Sequence, residues 1–323
     1  MNAIMVIFFL SYLLYSFFNN IKFCIILVML LSTYYYITQK KFFHSPKCNI
    51  SKKINYNAWS NPYDPQTYTS IKLDITKIIP YLKKKSEELK CKFTPTIFSI
   101  KLIAIILKKY PEVSGYIKFG KYETKDGIDI CCLVNVGEGE ELANTAVKRC
   151  DSKSMKEIYD ELMNNVNVLR ERKNLGQNQK MTLYKYLPTF LTGPLTHIFC
   201  YLSSIGIKIG MIRLREFEFG SCVITSIGGI GIENSLVPIP PVSFAPAILT
   251  LCSKYDVNYK DEKGEIKTKT FLKMNFTTDY RFFDYKTSVN IYHDILRIGS
   301  DPEIFEQECE KFESINNNLK NVV

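Results

Sequence analysis

The segment from Met274 to Ile295 limits this chain more than any other. Met274, Phe276 and Thr278 alternate with Asn275 and Thr277 at the two-residue period of a half-buried strand. Asp279, Tyr280, Arg281 and Asp284 then crowd polar groups into a turn, and Thr287 to Ile295 carries apolar side chains at helical spacing. A half-buried strand needs neighbours to pair with, and an amphipathic helix needs a surface to pack on.

The chain has the material for such a core. Its 323 residues are 46% apolar and 23% charged, enough for one or two globular domains and too apolar for disorder. The formal charge of +10 comes from scattered lysines, with a modest excess between Lys40 and Lys109. That pattern is a solvated, mildly basic surface or one attracted to anionic lipid headgroups. No nucleic-acid-binding motif or basic helix accompanies it, so no nucleic-acid partner is expected. None of the ten cysteines falls in a zinc-ligand spacing, and they read as buried free thiols of a reducing compartment. With only His44, His197 and His293, no histidine-based metal site is expected.

Four regions follow from the order of composition. Residues 1–40 hold two apolar runs, Ala3 to Phe18 and Ile21 to Ile37, parted by Asn19-Asn20 and interrupted by Lys22. They suit a transmembrane anchor of one or two helices, and a cleaved signal peptide is the competing reading. Lys40, Lys41, Lys47, Lys52 and Lys53 follow, which by the positive-inside tendency puts the rest of the chain in the cytosol, with the endoplasmic reticulum among the membranes that fit. Residues 41–65, with Trp59, Pro62 and Pro65, read as an extended lead-in, 66–312 as the globular domain, and 313–323 as a polar tail.

Within the domain, Ser70–Asp74 reads as a strand, Ile75–Leu89 as an amphipathic helix, and Thr94–Tyr110 as a capped core helix with Pro95 in its first turn. Gly127–Gly137 and Asn144–Cys150 read as partner strands, followed by a helix whose start has a serine and a glutamate in capping-box relation. An apolar insertion at 181–215, broken by Pro188, Gly193-Pro194 and Gly206, reads as a pair of short helices. It must bury as a cover over the domain, against a sister subunit, or in a membrane. His197 inside it is expected to be a packed residue rather than a catalyst. The glycines at 228, 229 and 231 lack the Lys-Ser/Thr of a phosphate loop and suit a bent turn between strands.

Several of these stretches resemble one family. Asp279-Tyr-Arg-Phe-Phe-Asp-Tyr285 resembles the Asp-His-Arg-x-x-Asp-Gly signature of the acyltransferase core of 2-oxo acid dehydrogenase complexes, whose fold is shared with chloramphenicol acetyltransferase. Asp279, Arg281 and Asp284 match, while Tyr280 stands for the family's catalytic histidine and Tyr285 for its glycine. Asp151-Ser-Lys-Ser-Met-Lys-Glu-Ile158 and Ser221-Cys-Val-Ile-Thr-Ser-Ile-Gly-Gly also match family segments, the latter placing Thr225 at the oxyanion-stabilising serine with Ser226 beside it. The resemblance spans roughly residues 66 to 310.

It implies a two-layer α/β sandwich with a mixed sheet, coenzyme A or acyl-coenzyme A as substrate, no metal, and a homotrimer whose cleft lies between subunits. Membrane lipid is a further expected partner. No lipoyl attachment site is present. Tyr280, Asp284 and Thr225 become the candidate catalytic residues, Ser226 and Tyr285 the substrate-binding ones, and Asp279 and Arg281 the residues that fix the turn. A tyrosine ordinarily titrates near 10, so it replaces a histidine base poorly, and losing a general base costs about 10² to 10⁴ in rate. A weakened transferase is one expectation. A membrane-associated scaffold or acyl-coenzyme A-binding pseudoenzyme is the other.

Overall fold

The computed structural model describes residues 8, 11–12, 25–30, 32–33, 66–135, 142–174, 189–208, 219–240 and 243–320. The chain divides into two compact units, Met1–Ile50 and Ser51–Val323. In the first, the described residues are helical, and Phe8, Tyr12, Ile25, Ile26, Met29 and Leu30 are exposed. Among the described residues no helix is long and apolar enough to cross a membrane. The expected anchor falls mostly on residues outside the described set, as do the lead-in at 41–65 and residues 181–188 and 209–215 of the insertion.

The second unit is built on a six-stranded mixed sheet. Its strands are β1 (Gln66–Asp74), β4 (Ile130–Asn135), β5 (Leu142–Val147), β6 (Cys222–Ser226), β7 (Ala247–Lys260) and β8 (Ile266–Asp279), in the order β1-β8-β7-β6-β4-β5. β6 pairs parallel with β4 and β7, and every other pairing is antiparallel. Short β2 (Tyr116–Lys118) and β3 (Lys121–Glu123) form a separate hairpin. The helices are α1 (Ile78–Leu89), α2 (Pro95–Lys109), α3 (Met155–Asn174), α4 (Thr189–Ser204), α5 (Tyr285–Ser300) and α6 (Pro302–Lys320).

Helix α2 is the centre of the helical layer. Thr94 accepts a hydrogen bond from the Ile97 amide at 3.4 Å, Pro95 occupies the first turn, and every residue from Ile97 to Leu107 is buried. A helix apolar on all sides must be enclosed, and α3, α5 and α6 pack around this one. The enclosure includes Lys101, whose fully buried side chain satisfies its ammonium on the Lys153 carbonyl at 2.5 Å and on Glu313 at 3.1 Å. Phe305 of α6 is 0% exposed, and its ring centroid lies 4.8 Å from that of Phe98.

α6 runs on through residue 313 to Lys320, so the start of the expected polar tail is helical. Its apolar face is held by Phe98, and Glu313 by Lys101. The insertion also differs from expectation. α4 continues through Gly193-Pro194 as one helix, and its C-terminal turn docks on the domain, with the Tyr201 hydroxyl accepting from the Phe119 amide at 2.7 Å and its ring 5.7 Å from that of Phe244.

The opposite face of the sheet is covered by an extended segment. Val237 and Ile239 close over Cys131, Val223 and Ile248. Gln66 fixes that segment by accepting from the Ile239 amide at 2.7 Å and donating to its carbonyl at 3.0 Å.

Candidate active-site elements

The turn after β8 is built from its own carboxylate. Asp279 ends the strand, donates its amide to the Pro246 carbonyl at 2.9 Å, and is 5% exposed. Its carboxylate accepts from the Arg281 amide at 2.9 Å, from Nε at 3.0 Å and from Nη2 at 2.5 Å. Its carbonyl accepts from the Phe282 and Phe283 amides at 2.9 and 3.1 Å. Two buried phenylalanines then anchor the turn below, Phe282 against Tyr122 with centroids 5.8 Å apart. The half-buried Tyr280 is thus carried on a clamped loop. Such a bidentate guanidinium–carboxylate pair adds geometric definition as well as attraction.

Asp284 caps α5, its Oδ1 accepting from the Thr287 amide at 2.8 Å. The signal was present in the sequence as an Asp three residues before a Thr that opens an apolar helical pattern. Tyr285, the first residue of α5, is 79% exposed.

Thr225 and Ser226 lie at the other end of the sheet. Thr225 is 6% exposed near the end of β6. It is registered with Thr250 of β7, which is registered with Asn275 of β8. Its hydroxyl makes no hydrogen bond among the described residues, and the buried Thr250 hydroxyl beside it is unsatisfied. Ser226 is exposed. Glycine is required in the turn that follows, where a side chain on Gly228 would meet the Cys252 carbonyl at 2.5 Å.

The register separates the two halves. Tyr280 lies five residues beyond Asn275, roughly 16 Å along the strand, and β6 and β8 are two strand spacings apart, so Thr225 and Tyr280 are roughly 19 Å from each other in one chain. One protomer brings together Asp279, Tyr280, Arg281 and Asp284, and separately Thr225 and Ser226. It does not unite the sets. Among the described residues no group of three or more His, Cys, Asp or Glu side chains is placed to hold a metal ion.

The frame is thus a mixed six-stranded sheet with a clamped polar turn leaving its second strand and a glycine-bent turn leaving its fourth. Residues 52–181 match the family described as 2-oxoacid dehydrogenases acyltransferase (catalytic domain). Over that stretch the chain is similar to those catalytic domains.

The fold is similar to that of dihydrolipoamide acetyltransferase from Azotobacter vinelandii at 15% identity and a TM-score of 0.55, covering 79% of this chain and 89% of that one. It is similar to the cubic core of a pyruvate dehydrogenase multienzyme complex at 14% identity and 0.53, covering 79% and 89%. A probable dihydrolipoamide acetyltransferase from Listeria monocytogenes follows at 17% and 0.51, covering 81% and 88%. No curated protein matches. The family match ends at residue 181, where the apolar insertion begins, so Thr225 and the 279–285 turn are tied to these proteins by fold alone.

Proposed function

We propose that this chain transfers an acyl group between coenzyme A and an acceptor, at a site assembled between copies of a homotrimer, and that it does so slowly. The observation that carries this reading is the separation of Thr225 from Tyr280. A site using both needs Thr225 of one copy and Tyr280 of the next, and the fold is similar to that of a cubic multienzyme core. The structure of the Azotobacter relative was determined to examine a serine, a histidine and an asparagine in its catalytic mechanism, the last two being four positions apart, as Tyr280 and Asp284 are.

In this reading the Thr225 hydroxyl donates to the developing oxyanion. The Asp279–Arg281 clamp holds the turn, Asp284 holds α5 behind it, and Tyr280 positions the acceptor or acts as a weak acid. Ser226 and the exposed Tyr285 contact substrate across the interface between copies. Nothing in the turn supplies a base, so the acceptor must ionise by itself. The chain is tethered by residues 1–40 with the domain in the cytosol, a view supported by the exposed Phe8, Tyr12, Ile25, Ile26, Met29 and Leu30. Protection of the domain from protease in sealed microsomes would reverse that topology.

Tyrosine in the base position favours a second reading, in which the fold survives as a membrane-associated scaffold or acyl-coenzyme A-binding pseudoenzyme. The test is acyl transfer from acetyl-coenzyme A to a thiol acceptor by the full chain. Tyr280→His is expected to raise the rate by about 10² or more, and Thr225→Val to remove the gain. No transfer from a folded Tyr280→His, Tyr285→Gly double variant leaves the scaffold.

A further inference from the structure

Between the helical layer and the sheet lies a cavity of about 50 Å³ that no part of the proposed transfer uses. Its floor is low because small residues line it. Cys222 of β6 and Ala247 of β7 lie side by side, each one position before the registered pair Val223 and Ile248, and Ala247 is registered with Thr278 of β8. Its walls are buried and apolar, from Phe276, Phe283, Ile291 and Ile295 with Ile106 of α2. Of all its lining residues only Thr69, Ser288 and Tyr292 are not buried, which places the mouth between β1 and the first turns of α5.

That mouth carries chemistry. Ser288 and Tyr292 are one helical turn apart, and neither hydroxyl makes a hydrogen bond among the described residues. An apolar-lined cavity stays dry and takes apolar ligands, while an empty one destabilises the fold. An apolar blind end with two hydroxyls at its opening fits an amphiphile with a short apolar tail. We infer that this cavity binds a short saturated acyl chain of about two to four carbons, scaled roughly from the 150 Å³ cavity that accepts benzene, with its carboxyl or thioester oxygen on Ser288 and Tyr292. The site does not depend on whether the chain transfers acyl groups.

The experiment is ligand-observed NMR on the full-length protein with acetate, propionate, butyrate and hexanoate. Affinity should rise about fourfold per methylene and stop rising once the chain exceeds the cavity. Ala247→Leu fills the floor, so it should weaken butyrate binding by about tenfold or more. Ser288→Trp plugs the half-buried mouth and reports even if the core variant fails to fold. Displacement of butyrate by butyryl-coenzyme A but not by coenzyme A assigns the chain to a thioester, and displacement by neither assigns it to a free acid. Absence of saturable binding across the series, or binding unchanged in Ser288→Trp, overturns the proposal, whatever Tyr280→His does to transfer.

Discussion

Asp284 offers the sharpest separation of a structural from a chemical role in the candidate site. Its carboxylate accepts from the Thr287 amide at 2.8 Å, and the first turn of α5 holds no other acidic residue. Asp284→Ala therefore removes a cap, worth about 1 kcal/mol, together with the only negative charge against that end of the helix dipole, worth roughly 0.3 to 1 kcal/mol. The total of about 1.5 kcal/mol corresponds to a fall in melting temperature of roughly 3 to 6 °C for a domain of this size. Asp284→Asn keeps the cap and loses only the charge, so its fall should be about 1 to 2 °C. Thermal unfolding of the three proteins measures both. A melting temperature for Asp284→Ala within 1 °C of wild type would refute the cap as the residue's work. If the cap is its only work, any acyl transfer should survive in Asp284→Asn.

Three other outcomes are expected. Burial pushes the Asp129 carboxyl up, but Lys125 at 2.6 Å, the Arg149 amide and Lys148 outweigh it and hold the group below its ordinary 3.8. A depressed carboxylate stabilises the fold above its unfolded value, so the stability gap between wild type and Asp129→Asn should be full at neutral pH and shrink as pH falls below about 4. Phe305→Ala should cost about 3 to 5 kcal/mol in denaturant unfolding, since the ring is fully buried against Phe98; a loss below 1 kcal/mol would mean that α6 does not dock. Burial pushes the Cys150 and Cys222 thiols up to about 12 and raises the Cys132 thiol as well. At pH 8 a thiol reagent should therefore label the partly exposed Cys91 long before these three.

Local pattern was enough for much of this molecule. The alternation from Met274 to Thr278 lies within β8, the threonine and proline at 94 and 95 start α2, and the serine–glutamate relation is the reciprocal pair in which Glu157 accepts from the Ser154 amide at 2.8 Å and Ser154 from the Glu157 amide at 3.3 Å. The hairpin tip at Asp261 also closes locally, with Gly264 at a φ of +82°. These features depend on residues within a few positions of each other, so short-range stereochemistry decides them. Residue types and order were likewise enough to suggest the acyltransferase fold.

What the sequence could not determine depends on partners far along the chain. Lys101 reads as one more surface lysine until α3 and α6 bring the Lys153 carbonyl and Glu313 to it. Residues 313 to 320 read as a polar tail because the apolar contact that secures α6 lies more than 200 positions away, at Phe98. Thr225 and Tyr280 read as one site because a family pattern lists them together; only the strand order shows that β6 and β8 deliver them to opposite ends of the sheet. The sequence alone determined the turns, caps and periodicities, whose energies are local. The tertiary structure alone decided which charges are buried, where α6 packs and how far apart the candidate groups stand, because each is set by long-range packing and register that no short window of residues encodes.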